Sequence, residues 1–205
     1  MIPSMNLQEW FGGIDIYLFD QLLKGRLDPR MRVLDAGCGG GRNLVYFLRE
    51  GYDVCGVDQS AEAIAHVRSL ASALAPRLPA GNFRVESVEG MSFDDASFDA
   101  VLSSAVLHFA RDEAHWRTML GEMWRVLKPG GIFFARLASS IGIESEVASV
   151  GGRRYRLPDG SDRFLVDERM LTEATNSLRG EWLEPLKTVV VQHARSMSTW
   201  CLRKT

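Results

Sequence analysis

The chain has 205 residues, 46% of them hydrophobic, with 24 Lys and Arg against 26 Asp and Glu and a formal net charge of -2. That balance fits one globular domain with a sizeable core, and basic residues scattered this evenly create no field that would draw a nucleic acid. Cys38, Cys55 and Cys201 are odd in number, far apart and set in or beside apolar runs, the usage of free thiols in a reducing compartment. The start, MIPSMNLQEWFGG, has no basic stretch, and no apolar run reaches the roughly 18 residues that span a bilayer. The expectation is a cytoplasmic protein with no membrane and no nucleic-acid partner, its oligomeric state (monomer or homodimer) left open.

From the N-terminus, LQEWFGGIDIYLFDQLL has helical periodicity and reads as a cover over residues 1–30. Short apolar runs then alternate with helical segments, which is the pattern of an α/β fold with a parallel sheet covered on both faces. The strands are expected at MRVLDAG, YDVCGVD, NFRVESV, FDAVLSSA and GIFFARLA, and the helices at GRNLVYFLREG, SAEAIAHVRSLASALA and RDEAHWRTMLGEMWRVL. In the last helix Trp116, Met119, Leu120, Met123 and Leu127 recur at spacings of three and four and predict a buried stripe. Residues 138–163 read as a long, irregular substrate loop or lid, since a loop of that length is usually functional. A helix near VDERMLTEATNSLRG and two strands near WLEPLKTVVVQ and SMSTWCLRK complete the chain. With so short a link those two strands must pair antiparallel.

The segment VLDAGCGGGRN places four glycines within five residues directly behind Asp35. The turn after the first strand of an open α/β sheet is the usual ligand contact, and glycines there permit positive φ and close approach of the backbone. The dinucleotide pattern G-x-G-x-x-G is not met, because Arg42 stands where its third glycine belongs. A carboxylate at Asp35 repels a pyrophosphate but suits a cation, and S-adenosylmethionine carries both an α-ammonium and a sulfonium. Asp58 closes the second strand 23 residues on (58 - 35), about where a carboxylate grips the ribose hydroxyls of an adenosine. Its alternative role is to cap the helix beginning SAEAIA, for which Ser60 is better placed.

These motifs resemble the class I S-adenosylmethionine-dependent methyltransferases. VLDAGCGGGRN is similar to their first motif, VCGVDQS to the second, FDAVLSSAVLHF to the fourth-strand segment and EMWRVLKPGGIFFA to the helix, turn and strand after it. The likeness covers residues 31–137 and is nearest to small-molecule methyltransferases of the ubiquinone-biosynthesis and tellurite-resistance types. It implies a Rossmann-like, doubly wound, seven-stranded sheet with an antiparallel last strand. It also implies that Asp35, Gly37 and Gly39 flank the methionine moiety, with Cys38 and Asn43 in the same loop and Ser103 at the fourth strand. Asp58 would hold the ribose and Gln59 lie beside the adenine. Where the family often has an aspartate for the adenine amino group, this chain has Ser87; Ser87 or Glu89 would accept it, with the Val88 N–H free for the ring.

His108, just after the fourth strand, is the candidate general base, against a structural role in a neighbouring loop. His66, His115 and His193 are weaker candidates, and none makes a metal spacing with a cysteine. Arg136 near the end of the fifth strand is either a fork for a substrate carboxylate or phosphate or the partner of a loop carboxylate such as Glu144 or Asp162. Arg153, Arg154, Arg156 and Tyr155 fit a solvated face or a lid over an anionic acceptor, and Arg195 is a further candidate. The reading is a methyltransferase acting on a small-molecule acceptor. The competing readings are a nicotinamide-dependent oxidoreductase and a cofactor-binding module without chemistry.

Overall fold

The computed structural model describes residues 6–205. The N-terminal cover is two helices, α1 (Leu7–Phe11) and α2 (Ile16–Leu23), capped by the side chains of Asn6 and Asp15. One continuous helix is ruled out by Gly12, whose φ of 59° belongs to the left-handed region. There follow β1 (Arg32–Ala36), α3 (Val45–Arg49), β2 (Asp53–Asp58), α4 (Ala61–Leu74), β3 (Phe83–Val85), β4 (Phe98–Ser104), α5 (Glu113–Val126) and β5 (Leu127–Ala138). After β5 the chain forms β6 (Ala148–Gly151), β7 (Arg154–Arg156), β8 (Asp162–Phe164), α6 (Glu168–Ser177), β9 (Gly180–Trp182), β10 (Lys187–Val191) and β11 (Arg195–Lys204).

The main sheet runs β10-β11-β5-β4-β1-β2-β3, seven strands in which β11 lies antiparallel to both neighbours, with the short β9 pairing against β11. The α/β, doubly wound, mostly parallel architecture expected from the sequence is the one observed. Successive strand residues point to opposite faces, and the core divides accordingly. Val33, Leu102 and Phe134 pack against Leu18 of α2, Phe47 and Leu48 of α3, and Ile64 and Val67 of α4. Leu34, Val101, Phe133 and Trp200 pack against the α5 stripe of Trp116, Met119, Leu120 and Met123 and against Met170 and Leu171 of α6. The whole predicted stripe, Leu127 included, is buried.

Three local expectations differ from the structure. The helix after the glycine loop has five residues, because the loop continues in turns through Leu44, whose side chain cannot cap it. The third strand is three residues long, since it is an edge that meets β2 at only three positions. Residues 138–163 are not irregular: β6, β7 and β8 form a separate antiparallel sheet in the order β6-β7-β8. Its second hairpin turns at Pro158-Asp159-Gly160, where Gly160 takes a φ of 82° and Leu157 and Ser161 close the turn.

Trp116 is sandwiched between the rings of Phe164 and Trp200, each 6.2 Å away and nearly parallel. It therefore ties α5, the inserted sheet and β11 together. Truncating it removes the centre of that stack, and Trp116→Ala should lower the urea-unfolding free energy by about 3–5 kcal/mol.

Candidate functional site

The sheet changes winding direction at β1, which has β2 on one side and β4 on the other, and ligands of such sheets sit beyond the strand ends at this point. The glycine turn is built there. The N–H groups of Gly37 and Cys38 both donate to the Val57 carbonyl at 2.9 Å, and the Gly39 N–H donates to Asp58 Oδ2, also at 2.9 Å. Gly37 has a φ of 84°, and a Cβ on it would lie 2.5 Å from Val106. At Gly39 a Cβ would meet nothing within 4 Å, so there the bare backbone faces open space.

A cavity of about 580 Å³ opens over this turn. Of the residues expected to hold a cofactor, Gly37, Cys38, Gly39 and Asn43 line it from the loop, Asp58 and Gln59 from the tip of β2, and Ser87, Val88 and Glu89 from the segment after β3. Two do not. Ser103 is fully buried with its hydroxyl unpartnered among the described residues, because strand alternation turns it into the core and gives the cavity to Ser104. Asp35 lies behind the wall, 1% exposed, and its Oδ2 has no hydrogen-bond partner among the described residues.

The two carboxylates at the strand tips therefore differ in kind. Asp58 accepts from Gly39 through Oδ2 and from the Ser60 N–H through Oδ1, while Ser60 itself caps α4. Burial pushes the Asp35 carboxyl up to about 7, partly offset by the charge of Arg42 and aided by that of Asp58. A carboxylate oxygen left dry and unbonded is unfavourable unless a donor arrives.

The two residues proposed for catalysis are not in the cavity wall. His108 sits in a 3-10 turn, residues 107–109, 7% exposed, with Nδ1 unpartnered among the described residues. Burial, helped by the positive charge of Arg163, brings its pKa down to about 4, so the ring is neutral at neutral pH. Arg136 pairs neither with Glu144 nor with Asp162. Its Nε is 3.3 Å from Asp15 Oδ2, and its guanidinium lies 4.3 Å over the Tyr17 ring. Asp162 is taken by Arg156 and Asp167 by Arg153.

Asp15 is the part of the site that the sequence did not disclose. It is 8% exposed, caps α2, accepts from Ser104 Oγ at 3.4 Å and has Arg42 at 3.7 Å in addition to Arg136. Its own N–H donates to Asn43 Oδ1 of the glycine loop at 2.9 Å. The cover is thus latched to the loop, β4 and β5 at one residue. Arg42, Phe109, Arg111, His115 and Met119 also line the cavity; Arg42, Phe109 and Arg111 follow closely on the ends of β1 and β4, whereas His115 and Met119 sit inside α5 and carry no such signal.

The sequence matches the methyltransferase-domain family over residues 34–135, about half of the chain. It is 32% identical over 180 residues to a malonyl-[acyl-carrier protein] O-methyltransferase of Enterobacter lignolyticus, covering 86% of this chain and 65% of that one. It is also 32% identical over 162 residues to a ubiquinone biosynthesis O-methyltransferase of Methylocella silvestris, covering 75% and 60%. The chain spans between about half and two thirds of the length of such relatives. The fold superimposes with a TM-score of 0.69 on a Burkholderia thailandensis 1,6-didemethyltoxoflavin-N1-methyltransferase with bound S-adenosylhomocysteine, at 22% identity, covering 97% of this chain and 85% of that one. An open α/β sheet with a glycine turn and an acid at the tip of its second strand defines a nucleoside-binding enzyme class. Within it, the chain belongs to the S-adenosylmethionine-dependent methyltransferases, and the nicotinamide alternative gives way to that membership.

Two measurements check these assignments. Arg136→Ala leaves a buried carboxylate with one fewer cation, and should destabilise the protein by about 1–3 kcal/mol without unfolding it, because Arg42 and Ser104 remain. The Asp35 carboxyl binds its proton more tightly folded than unfolded, so its contribution to stability is complete below about pH 4 and is lost as pH rises toward 7. Asp35→Asn should flatten that part of the stability curve between pH 4 and 8 in urea titrations.

Proposed function

We propose that the protein transfers the methyl group of S-adenosylmethionine to a small-molecule acceptor by in-line displacement, with residues 1–205 acting as one domain. One observation carries the reading: a backbone cradle at Gly39 opens onto a cavity lined by the Asp58 carboxylate, with an unpartnered Asp35 oxygen buried behind its wall. The donor set fits the group. The glycine turn has room for the amino-acid end, and Asp35 offers a charge for its ammonium. Asp58 has lone pairs beyond its two N–H bonds for ribose hydroxyls, and Gln59 and Val88 flank the base.

The cofactor, when bound, supplies a methyl carbon already activated by its positive sulfur. The chain's part is then alignment and exclusion of water, which are worth roughly 7–11 kcal/mol where reacting groups are well oriented. Burial keeps the His108 ring neutral and a weak base, so its proposed role is to shape the turn leading from β4 into the cavity. Of the expected cover over residues 1–30, residues 6–30 form it and residues 1–5 lie outside the described residues, and residues 138–163 form the lid over the acceptor. An anionic acceptor is favoured: Arg42 and Arg111 line the cavity, and Arg163 of the lid lies 5.0 Å over Phe109, itself in the cavity wall. Arg136, already matched by Asp15, serves the cover instead. No helix among the described residues is long and apolar enough to cross a membrane, and the three free, buried cysteines support a cytoplasmic location.

Calorimetry with S-adenosylhomocysteine, followed by a metabolite screen that records its release from S-adenosylmethionine, tests the reading. Affinity without turnover for any acceptor would leave a binding module; no affinity would refute the proposal. Because the ionised form of Asp35 is the one that attracts an ammonium, affinity should rise with pH to about 7 and then level, and Asp35→Asn should be flat. Asp58→Ala should weaken binding by about 1.5–3 kcal/mol, the loss of a charge-assisted hydrogen bond.

A further inference from the structure

We infer that the protein associates as a two-fold dimer through the free edge of β10, where a second copy of this chain lays its own β10 antiparallel to the first.

The strand β10 ends the main sheet. It pairs with β11 on one side, and among the described residues the backbone groups of Lys187–Val191 make no hydrogen bond on the other. Their one bond outside that ladder closes the hairpin, from the Ala194 N–H to the Val191 carbonyl. Such a row of unpaired donors and acceptors is a template for another strand, and proteins normally guard it with proline, a bulge or an outward charge. No guard is present here. The strand holds no proline, its register against β11 runs straight, and its one charge, Lys187, is held by Asp20 at 2.9 Å and Glu184 at 3.2 Å within its own chain.

The surface beside this edge is apolar. Lys187 reaches Asp20 of α2, and alternate residues of a strand share a face, so Val189 and Val191 lie on the face that carries α2. Ile16 and Leu23 sit one turn to either side of Asp20 on that helix and are 65% and 72% exposed, while Val190 and Val191 are each 39% exposed. Exposed apolar side chains gathered along one strand edge mark a protein interface.

A second copy fits this surface in pairing, charge and shape. Antiparallel pairing centred on Val189 sets Lys187 opposite Val191 of the partner subunit, Thr188 opposite Val190 of the partner subunit, and Val189 opposite its own counterpart. No like charges meet across the seam, and the two Lys187 positions lie about 13 Å apart, beyond a Debye length at physiological salt. The two-fold axis of such a pair stands perpendicular to the sheet, so both α2 helices fall on one side and their Ile16 and Leu23 side chains flank the seam together. A lone extended peptide would pair with the edge but leave those two residues uncovered. The cavity at the tip of β1 is separated from the seam by β11, β5 and β4 and stays clear of it.

Sedimentation velocity on a dilution series from roughly 100 to roughly 1 µM tests the inference, together with hydrogen exchange at both ends of the series. The wild-type protein should reach twice the chain mass at the top of the series, and its β10 amides should exchange more slowly there than on dilution. Val191→Lys puts a lysine directly opposite the partner's Lys187 in each half of the seam and should raise the dissociation constant about tenfold. Val191→Glu, which meets the same lysine with opposite charge, should stay within a few-fold of the wild-type value. Leu23→Lys, a change at an exposed position, should weaken the dimer as well. A wild-type protein that stays monomeric throughout, with β10 exchange independent of concentration, overturns the inference. So does a dimer that Val191→Lys and Leu23→Lys leave unchanged, or one that Val191→Lys and Val191→Glu disrupt alike.

Discussion

Three N–H groups of the glycine turn are held by two consecutive residues at the tip of the neighbouring strand. Gly37 and Cys38 share the Val57 carbonyl, and Gly39 donates to the Asp58 carboxylate. These bonds fix the end of β1 against the end of β2, and the Val106 side chain fills the space that a Cβ at Gly37 would need. Binding then meets a cradle already ordered, which lowers the entropy lost on association. The same arrangement makes Asp58 serve the fold and the proposed ribose contact together, so its two roles separate only in a binding measurement set beside a stability measurement.

A second constraint runs through Asp15. Its carboxylate sits among Arg42, Arg136 and Ser104, and its backbone is gripped by Asn43. Stacking of Phe11 on Tyr46 at 5.2 Å adds an apolar contact between the cover and α3. Few charges meet so many elements at one point, and the result is that the cover, the glycine loop and the tips of β4 and β5 hold a common geometry. Arg136 is explained by this arrangement: a guanidinium that would be unfavourable if buried alone is matched by one carboxylate and one aromatic face.

The parallel sheet and its two-faced core were legible in the sequence because they rest on local pattern, apolar runs for β1, β2, β4 and β5 and helical spacing for the α5 stripe, while the double winding and the strand count came with the family resemblance. The glycine turn and Asp58 were legible because only particular residue types fit a left-handed turn beside a carboxylate. What was not legible depends on contacts between distant segments. Asp15 lies 121 positions before Arg136 (136 - 15), and nothing local distinguishes it from an ordinary helix cap. Ser103 and Ser104 are adjacent and chemically identical; which one meets the cavity depends on strand register. The sheet formed by β6, β7 and β8 was hidden by its short strands, although its PDG turn was visible, and the surface-like arginines around it masked the pairing.

Beside that inserted sheet lies a small apolar cluster, Ala138 of β5 with Leu157 and Leu165, while Phe164 of β8 joins the main core at Trp116. Substitutions on β6, exposed along its whole length, therefore leave the principal interior untouched. A lineage can exchange residues on that strand while the cradle at the tip of β1 stays unchanged. Such a division of labour confines drift to the periphery of the scaffold.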